Sequence, residues 1–454
     1  MDLSKAVVTN PVLALVGFSL VIILLLVLTA KWKWHVCLAL LLPILLFGAL
    51  PGIQRSQFID AFETGFGKTL GKIGVIIFLG SMMAEALKHT GAIQVITRSM
   101  IRLVGAKRMP LALTLAGFIV GIAIFSDVAY VILNPLVHAS AKAMGVGIGV
   151  MSIGLVGAVQ LAHAIVPPTP GPLAAAALLG ADLGKSILCG GLACLFGSLA
   201  SWIWGQYLVG PRLLTPPSDE FAGSDLLDDP DQRLPGTLSS YAPILVPLVL
   251  ISAQSVAPLL LSEGNPLRHL LLYLGWPVVA LSLGLGLAYR NIRNPEDRVK
   301  ARTQWVDEGL KVSAMILVVT GLGGSLSAIL KATPAVTAVA ESFAASGFPA
   351  ILLPFAIGVM GNMITGSTTV GVITAASLVA PMLSTLGLSP EAALLAGASG
   401  SVIVKYVNSS YFWVCTSLSK LTVREAILGY GGATLVGGVV SFLAVCLMWV
   451  LGVV

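Results

Sequence analysis

The sequence predicts an all-α polytopic membrane protein built from two inverted repeats, each with about five spans plus a re-entrant hairpin. Of its 454 residues, 57% are hydrophobic and only 10% are charged, and the mean hydropathy is +0.96. Soluble domains carry about 25% charged residues. Apolar runs of about 20 residues, the length of a membrane span, recur from end to end. Several runs are interrupted near their midpoints by proline or polar residues, which predicts broken helices at the midplane of the bilayer.

Charge, cysteine content and motifs argue against other classes of protein. The net charge of +6 is ordinary for an inner-membrane protein with basic cytoplasmic loops and gives no support to nucleic-acid binding. The five cysteines lie in apolar runs without Cys-x-x-Cys spacing, so we expect packing roles, with no metal and no cofactor. Gly67-Lys68-Thr69 imitates the end of a phosphate-binding loop. Phe62 stands where that loop needs a glycine, which argues against an ATP-driven pump.

Residues 1–210 are predicted to form the first membrane repeat. The blocks 110–143 and 145–179 are each too long for one simple span and are interrupted near their midpoints, the second by the proline-rich run from Pro167 to Pro172. In chain order, spans or broken blocks are expected at 11–30, 34–50, 73–87, 110–143, 145–179 and 184–208.

Residues 211–240 are acidic and rich in turn-forming residues, so we expect a cytoplasmic connector there. Residues 241–454 are predicted to form the second membrane repeat, with the same order of blocks. These blocks are expected at 241–261, 270–289, 312–330, 348–386, 390–420 and 424–453.

The two halves match at single residues. A shift of about 240 positions carries Lys68 onto Lys311, Ser126 onto Ser367 and Gly157 onto Gly397. The constant spacing and the shared order of blocks favour duplication over chance.

The distribution of basic residues predicts that the halves are inverted. The segment 98–108 is basic, whereas its counterpart in the second half, 332–347, carries only Glu341 as a charged residue. The basic residues of the second half lie one loop earlier, at 290–311. Because positive loops face the cytoplasm, this alternation predicts inverted repeats with both termini outside.

Inverted repeats would bring the four interruptions together and so predict a substrate site near the midplane. Freed backbone N–H groups and helix N-termini there suit an anion, and hydroxyl or amide side chains can bond its hydroxyls. For any single hydroxyl, packing or bonding to the preceding turn is the alternative role. The predicted substrate-binding residues are Ser126, Asp127, Thr169, Ser367, Thr368, Thr369, Lys405, Asn408, Ser409 and Ser410.

Ionisable side chains inside apolar segments are costly and usually functional. Asp127 and His163 are the predicted proton-coupling residues, with a structural hydrogen bond and a neutral core histidine as the respective alternatives. Lys405 either offers its charge to a carboxylate or snorkels outward. Glu85 lies near the end of its span and either functions or only meets the interface.

Two stretches carry a resemblance: Val166-Pro167-Pro168-Thr169-Pro170-Gly171-Pro172 and Tyr406-Val407-Asn408-Ser409-Ser410-Tyr411-Phe412-Trp413. With the length of 454 residues, they resemble the gluconate permease family, also called GntP, over essentially the whole chain. The resemblance implies a proton-driven symporter that imports gluconate or a similar hydroxylated monocarboxylate across the bacterial inner membrane. It also implies a fold with paired re-entrant hairpins.

The chain departs from this family in its second motif, which typically reads His-Val-Asn-Asp-Ser-Gly-Phe-Trp. Here Tyr406 replaces the histidine, Ser409 the aspartate and Tyr411 the glycine. Two titratable groups are therefore absent, which moves the expected coupling role toward Asp127 and His163.

The prediction is thus a carrier, not an enzyme, that sits in the lipid bilayer and binds a small anionic carboxylate together with a proton. A sodium-coupled or exchange carrier for another small organic anion or a D-amino acid is the first alternative. A channel and a membrane-embedded enzyme acting on lipid are the others, although no catalytic spacing supports an enzyme. Homo-oligomerisation is left open.

Overall fold

The computed structural model describes residues 7–8, 10–32, 34–213, 215–218, 234–334, 341, 345, 347–406 and 409–454. Every regular element within these ranges is helical, which confirms the predicted all-α class. Most of the predicted connector, residues 219–233, lies outside the described residues.

The first half contains nine α-helices among its described residues. A π-helical segment, Trp204–Val209, prolongs the last of them. The helices are α1 Pro11–Leu26, α2 Val36–Ala49, α3 Arg55–His89, α4 Ala92–Val104, α5 Met109–Gly121, α6 Ser126–Met144, α7 Ile148–Ile165, α8 Pro170–Leu179 and α9 Leu183–Ile203.

The second half is also helical over its described residues. Two four-residue helices, Leu383–Leu386 and Val423–Ala426, accompany the longer ones. The longer helices are α10 Thr237–Leu260, α11 Pro266–Leu274, α12 Pro277–Arg290, α13 Pro295–Arg302, α14 Gln304–Lys331, α15 Leu352–Thr365, α16 Thr368–Val379, α17 Pro390–Gly400, α18 Ser410–Leu418 and α19 Gly432–Val450.

The described helices bear out the prediction of a multi-pass membrane protein. Six helical stretches are long and apolar enough to cross a bilayer, when α7 is counted with α8 and α13 with α14, and the number rises to 8 if each of two bent pairs makes one span. The helices α5 and α15 have 13 and 14 residues. Each is therefore about 20 Å long, too short for a hydrocarbon core of about 30 Å, as a re-entrant segment would be.

One predicted boundary coincides with a bend, and another differs from the structure. The helix α3 continues through the predicted start of the span 73–87 but is bent by 44° between Lys72 and Gly74. The predicted span 270–289 is instead the pair α11 and α12, which meet at an angle of 67°. Pro277 is the first residue of α12, and its ring prevents the helix from continuing without a break.

All four long blocks are broken where the sequence predicts it. The helix pairs α5 and α6, α7 and α8, α15 and α16, and α17 and α18 are each separated by a short stretch whose described residues are not helical. Pro170 begins α8, and the stretch before it contains a cis peptide bond between Pro167 and Pro168. Gly366, with φ of 70°, separates α15 from α16.

The corresponding helices α3 and α14 pack antiparallel. Gly65 lies against Ser325 near one end of the contact, and Met82 lies against Gly309 near the other. A Cβ on Gly65 would come within 2.8 Å of Ser325 Cα, so glycine permits the close approach. The Ser325 hydroxyl also donates a hydrogen bond to the carbonyl of Phe62 at 2.8 Å.

The corresponding helices α9 and α19 also cross antiparallel, and their contacts are reciprocal. Gly197 lies against Ser441, and Gly437 lies against Ser201. A shift of about 240 positions carries Gly197 onto Gly437 and Ser201 onto Ser441, so each contact is a copy of the other. Reciprocal contacts are typical of a two-fold axis, here perpendicular to the helices. They support the predicted inversion, which stays a prediction for the halves as a whole.

Candidate functional site

Four helices begin at the breaks, inside the molecule. They are α6, α8, α16 and α18, which start at Ser126, Pro170, Thr368 and Ser410. The backbone N–H groups of a first helical turn have no acceptor within the helix, and they carry a partial positive charge. The starts of α6, α16 and α18 therefore present donors that suit an anion. The first turn of α8 offers only the Gly171 N–H, because Pro170 and Pro172 have none.

The structure brings the breaks of the two halves together. In α7, Gln160 Nε2 donates to Thr368 Oγ1 at 2.8 Å. A Cβ on Gly171 would lie 3.3 Å from Thr369 Cα, so the first turns of α8 and α16 are in contact. These contacts join the proline-rich break to the break between α15 and α16.

Lys405 lies at the centre of this region. Its side chain is buried, with 5% of the residue exposed, in the non-helical stretch between α17 and α18. Lys405 Nζ donates to the Gly366 carbonyl at 3.1 Å and to Ser409 Oγ at 3.4 Å. Snorkelling, one of the two roles considered from the sequence, is therefore wrong, because the ammonium group points into the protein.

Asp127 faces Lys405 from the first half. It is half-buried in the first turn of α6, where the carboxylate interacts electrostatically with Lys405 and lies beside the Ser410 hydroxyl. No ion pair within 4.0 Å joins Asp127 to Lys405 among the described side chains, so a gap separates the two charges. A polar group of a ligand could bridge that gap.

His163 is buried in the last turn of α7, next to the break between α5 and α6. The centre of its ring lies 5.5 Å from the centre of the Phe125 ring. The imidazole also interacts with the backbone of Ile124 and, electrostatically, with Lys405. His163 Nδ1 is buried without a hydrogen-bond partner in the described part of the chain. The ring lines a narrow cavity together with Thr169 and Gly80.

The hydroxyl residues occupy several kinds of position. Thr169 Oγ1 donates to the Val166 carbonyl at 2.7 Å, which is a local role within the break. Ser367 Oγ accepts a hydrogen bond from the Val370 N–H at the start of α16. Ser126 is buried and Ser410 is exposed, each as the first residue of its helix. Asn408 lies outside the described residues.

Three features of the site were not predicted from the sequence. Gln160 is a buried amide that bonds Thr368, and its only sequence signal is its isolation in an apolar helix. Tyr411, which stands where the family has glycine, donates to the Val156 carbonyl at 3.0 Å and so ties α18 to α7.

A third unpredicted feature is a buried hydroxyl network on the same side of α7. Ser419 lies within hydrogen-bonding distance of both Tyr130 and Tyr430, and Tyr430 donates to Ser152 at 3.1 Å. The network joins α6 and α7 to the residues between α18 and α19. Each hydroxyl looks like ordinary packing in the sequence, so only the fold reveals the network.

Glu85 belongs to a separate cluster at the contact of α3 with α14. Its carboxylate, His89 and Glu308 lie close enough to hold a metal ion. Lys88 Nζ, however, lies 2.9 Å from Glu85 and 3.6 Å from Glu308. Lys88 therefore supplies the cation that these carboxylates need, and the cluster reads as a structural ion-pair network.

An all-helical, multi-pass chain whose broken helices enclose a buried lysine and a facing aspartate has the architecture of a membrane transporter. The family model for GntP family permeases matches residues 12–452. The chain belongs to this permease family, so it is a transporter and not an enzyme.

Similar proteins with known names support this assignment. The chain is 30% identical over 432 residues to a gluconate permease of Pseudomonas aeruginosa, with 94% of this chain and 95% of the relative covered. It is 30% identical over 417 residues to the high-affinity gluconate transporter of Escherichia coli K12, covering 91% and 94%. It is also 31% identical over 431 residues to the D-serine transporter DsdX of Escherichia coli K12, covering 94% and 96%.

A solved structure shares the fold. The crystal structure of the YdaH transporter of Alcanivorax borkumensis superposes with a TM-score of 0.64 at 16% sequence identity. The match covers 92% of this chain and 97% of that chain.

Proposed function

We propose that the protein imports gluconate or a related hydroxylated monocarboxylate across the bacterial inner membrane by proton symport. The observation that carries the proposal is the buried Lys405, which faces Asp127 where the breaks of both halves meet. One fixed positive charge among hydroxyl groups and helix N-termini suits a ligand with one carboxylate and several hydroxyls. The gluconate permeases among the relatives support the same class of substrate.

In this proposal Lys405 and Asp127 couple the proton to the anion. An ionised Asp127 would repel an entering carboxylate by about 3 kcal/mol at roughly 6 Å and an effective dielectric constant of about 20. Protonation of Asp127 removes that repulsion and leaves the charge of Lys405 to the substrate, a gain of about 100-fold in affinity. Proton and anion therefore bind together, as symport requires.

The remaining predicted residues take supporting roles in the proposal. Ser367, Thr368, Thr369, Ser409 and Ser410 bond the substrate hydroxyls from the second half, as does Asn408, which is assigned from the sequence alone. Ser126 and Thr169 contribute from the first half. His163, which lines a cavity beside the Asp127 break, passes the proton between that cavity and Asp127.

Inverted halves would allow alternating access around a fixed site. The antiparallel and reciprocal contacts of corresponding helices support this inversion. In the proposed orientation, both termini lie outside and the connector, 211–240, lies in the cytoplasm with the basic segments 98–108 and 290–311.

Uptake of labelled gluconate into proteoliposomes tests the proposal. The purified protein is given an inwardly directed proton gradient, an inwardly directed sodium gradient at equal pH, or neither. We expect accumulation only with the proton gradient. Accumulation that follows sodium and ignores pH would overturn the proton assignment, and uptake in none of the three conditions would overturn the substrate.

A D-amino acid is the second candidate substrate, favoured by the same pair of charges. Lys405 can hold a carboxylate while an ionised Asp127 holds an ammonium group, so the site offers both partners of a zwitterion. The D-serine transporter among the relatives points in the same direction. Competition decides between the two. We expect unlabelled gluconate to block the uptake of labelled gluconate and D-serine to leave it unchanged. Uptake of labelled D-serine that is blocked by unlabelled D-serine and unchanged by gluconate would instead favour the amino acid.

A further inference from the structure

A second cavity lies apart from the central site. It is an open cleft with a volume of about 290 Å³, formed by α3, α14 and the last turn of α8. Three lysines, Lys68, Lys72 and Lys331, line it. Hydroxyl groups from the same helices accompany them, namely those of Thr64, Thr69 and Ser327.

The three lysines carry positive charge that no neighbouring acid offsets. Within the described residues, no carboxylate lies within 4.0 Å of any of them, whereas Lys88 and Lys300 do have such partners. A cavity with three cationic groups and several hydroxyls has the composition expected of a site for a small hydroxylated anion.

Lys72 lies within the span but away from the level of the breaks. Gly80, eight residues after Lys72 in α3, lines the narrow cavity at the proline-rich break together with Thr169. At a rise of 1.5 Å per residue, Lys72 is about 12 Å from the level of that break. A lysine inside the hydrocarbon region is costly in lipid and is normally found facing a water-filled cavity or a partner.

The cavity and the central site lie at opposite ends of α8. Thr169 precedes the first turn of α8, and Ala177 and Leu178 in its last turn line the cavity. At a rise of 1.5 Å per residue, the two sites are about 13 Å apart along this helix.

The cavity also faces away from the connector. Ile148, the first residue of α7, donates its N–H to the Thr215 carbonyl at 3.0 Å, so α7 begins on the connector side. The chain then runs through the proline-rich break, and α8 continues to the other side. If the connector is cytoplasmic, the cavity opens to the outside, from which an imported substrate arrives.

We propose that this cavity is an anion-capture site, which holds a small hydroxylated carboxylate on the outer side before it moves to the central site. The ligand class and the direction rest on the proposed function, whereas the anion selectivity rests on the three lysines themselves. Capture raises the local concentration of the anion, so it lowers the apparent KM and leaves the maximal rate unchanged.

Charge-neutral variants test the capture site in proteoliposomes of zwitterionic lipid. We expect Lys68→Gln, Lys72→Gln and Lys331→Gln each to raise the KM of inward gluconate transport about threefold to tenfold at low salt, with little change in maximal rate. Lys107→Gln, which removes one charge from the other end of the molecule, is the matched control. Unchanged KM values in a transporting wild type would overturn the capture site, whereas a wild type that does not transport gluconate would overturn the proposed function.

Protection from amine modification provides a readout that does not depend on transport. A membrane-impermeant amine-reactive ester is applied to the purified protein, and modification of each lysine is quantified by mass spectrometry. We expect gluconate to protect the three cavity lysines and to leave Lys107 unprotected. Protection by added anionic lipid but not by gluconate would instead identify a lipid headgroup as the ligand and overturn the capture of substrate.

Discussion

At the scale of single residues, the site is built around one buried ammonium group. Lys405 lies in a non-helical stretch, where its Nζ satisfies the Gly366 carbonyl and Ser409 Oγ. These neutral acceptors reduce the cost of burial but do not cancel the charge. Asp127 is the described acid that interacts with Lys405. The charge is thus stabilised by the first half while its hydrogen bonds come from the second.

This arrangement predicts a non-additive effect on stability. Asp127→Asn leaves Lys405 buried without its compensating charge, so we expect it to lower the free energy of unfolding by about 3 kcal/mol. Lys405→Met in the same chain removes the uncompensated charge, so the double variant is expected to be more stable than Asp127→Asn alone. Thermal unfolding in detergent measures both effects, with Lys300→Met on the surface as the control. Additive losses would show that the two side chains do not act as a pair.

The same residue pair predicts how coupling is lost. If Asp127 exchanges the driving proton, Asp127→Asn resembles its protonated form permanently. We therefore expect the variant to exchange labelled for unlabelled gluconate across the membrane but to lose accumulation against a gradient. Exchange and gradient-driven uptake are compared in the same proteoliposome preparation. Accumulation by the variant at the wild-type level would remove Asp127 from the coupling scheme and leave His163 as the remaining candidate.

At the scale of secondary-structure elements, close helix crossings depend on single glycines. Gly197 in α9 meets α19 so closely that a Cβ would lie 2.1 Å from Ser441 Oγ and 2.5 Å from the Gly437 carbonyl. Gly191, two turns earlier in the same helix, has no atom within 4 Å of the place where a Cβ would stand. Gly197 is therefore required for the close crossing of the two helices, whereas Gly191 is not.

We predict opposite outcomes for alanine at these two positions. Gly197→Ala forces α9 and α19 apart and is expected to lower the free energy of unfolding by about 1–3 kcal/mol. Gly191→Ala adds a methyl group in open space and is expected to be neutral or to stabilise the helix by up to about 1 kcal/mol. Thermal unfolding of both variants in one detergent gives the comparison. Equal stability of the two variants would show that the crossing tolerates a wider separation.

The elements were largely predictable from the sequence, and their partners were not. Proline fixes φ and lacks a donor, so the break before Pro170 is dictated locally. The direction of Lys405 is different, because snorkelling or burial depends on which helices surround it. Gln160 shows the same limit: its apolar neighbours mark it as unusual, but its bond to Thr368 is a contact between halves that are distant in the chain. Local chemistry therefore predicts where the chain breaks, and only tertiary packing shows what the breaks contact.

At the scale of the whole molecule, reciprocal contacts suggest a symmetry that organises transport. The pairs formed by α3 with α14 and by α9 with α19 are antiparallel, and each joins helices that correspond between the halves. Such pairs are expected when a two-fold axis lies in the membrane plane. The central site then lies between the halves, where a movement of one against the other exposes it to either side.

Inversion predicts which ends of the molecule share a side of the membrane. Because each half is predicted to cross the membrane an odd number of times, the connector faces the side opposite to both termini, and the basic segments place it in the cytoplasm. We therefore expect alkaline phosphatase fused after Val454 to be active and green fluorescent protein at the same point to be dark, with the reverse pattern for fusions after Asp225. Fusions after Lys107, in a basic segment assigned to the cytoplasm, control for expression and should behave like those after Asp225. A fluorescent fusion after Val454 would mean that the second half crosses the membrane an even number of times. The two-fold relation between the halves would then not exist. The orientation that places the lysine cavity on the outer side would be lost with it.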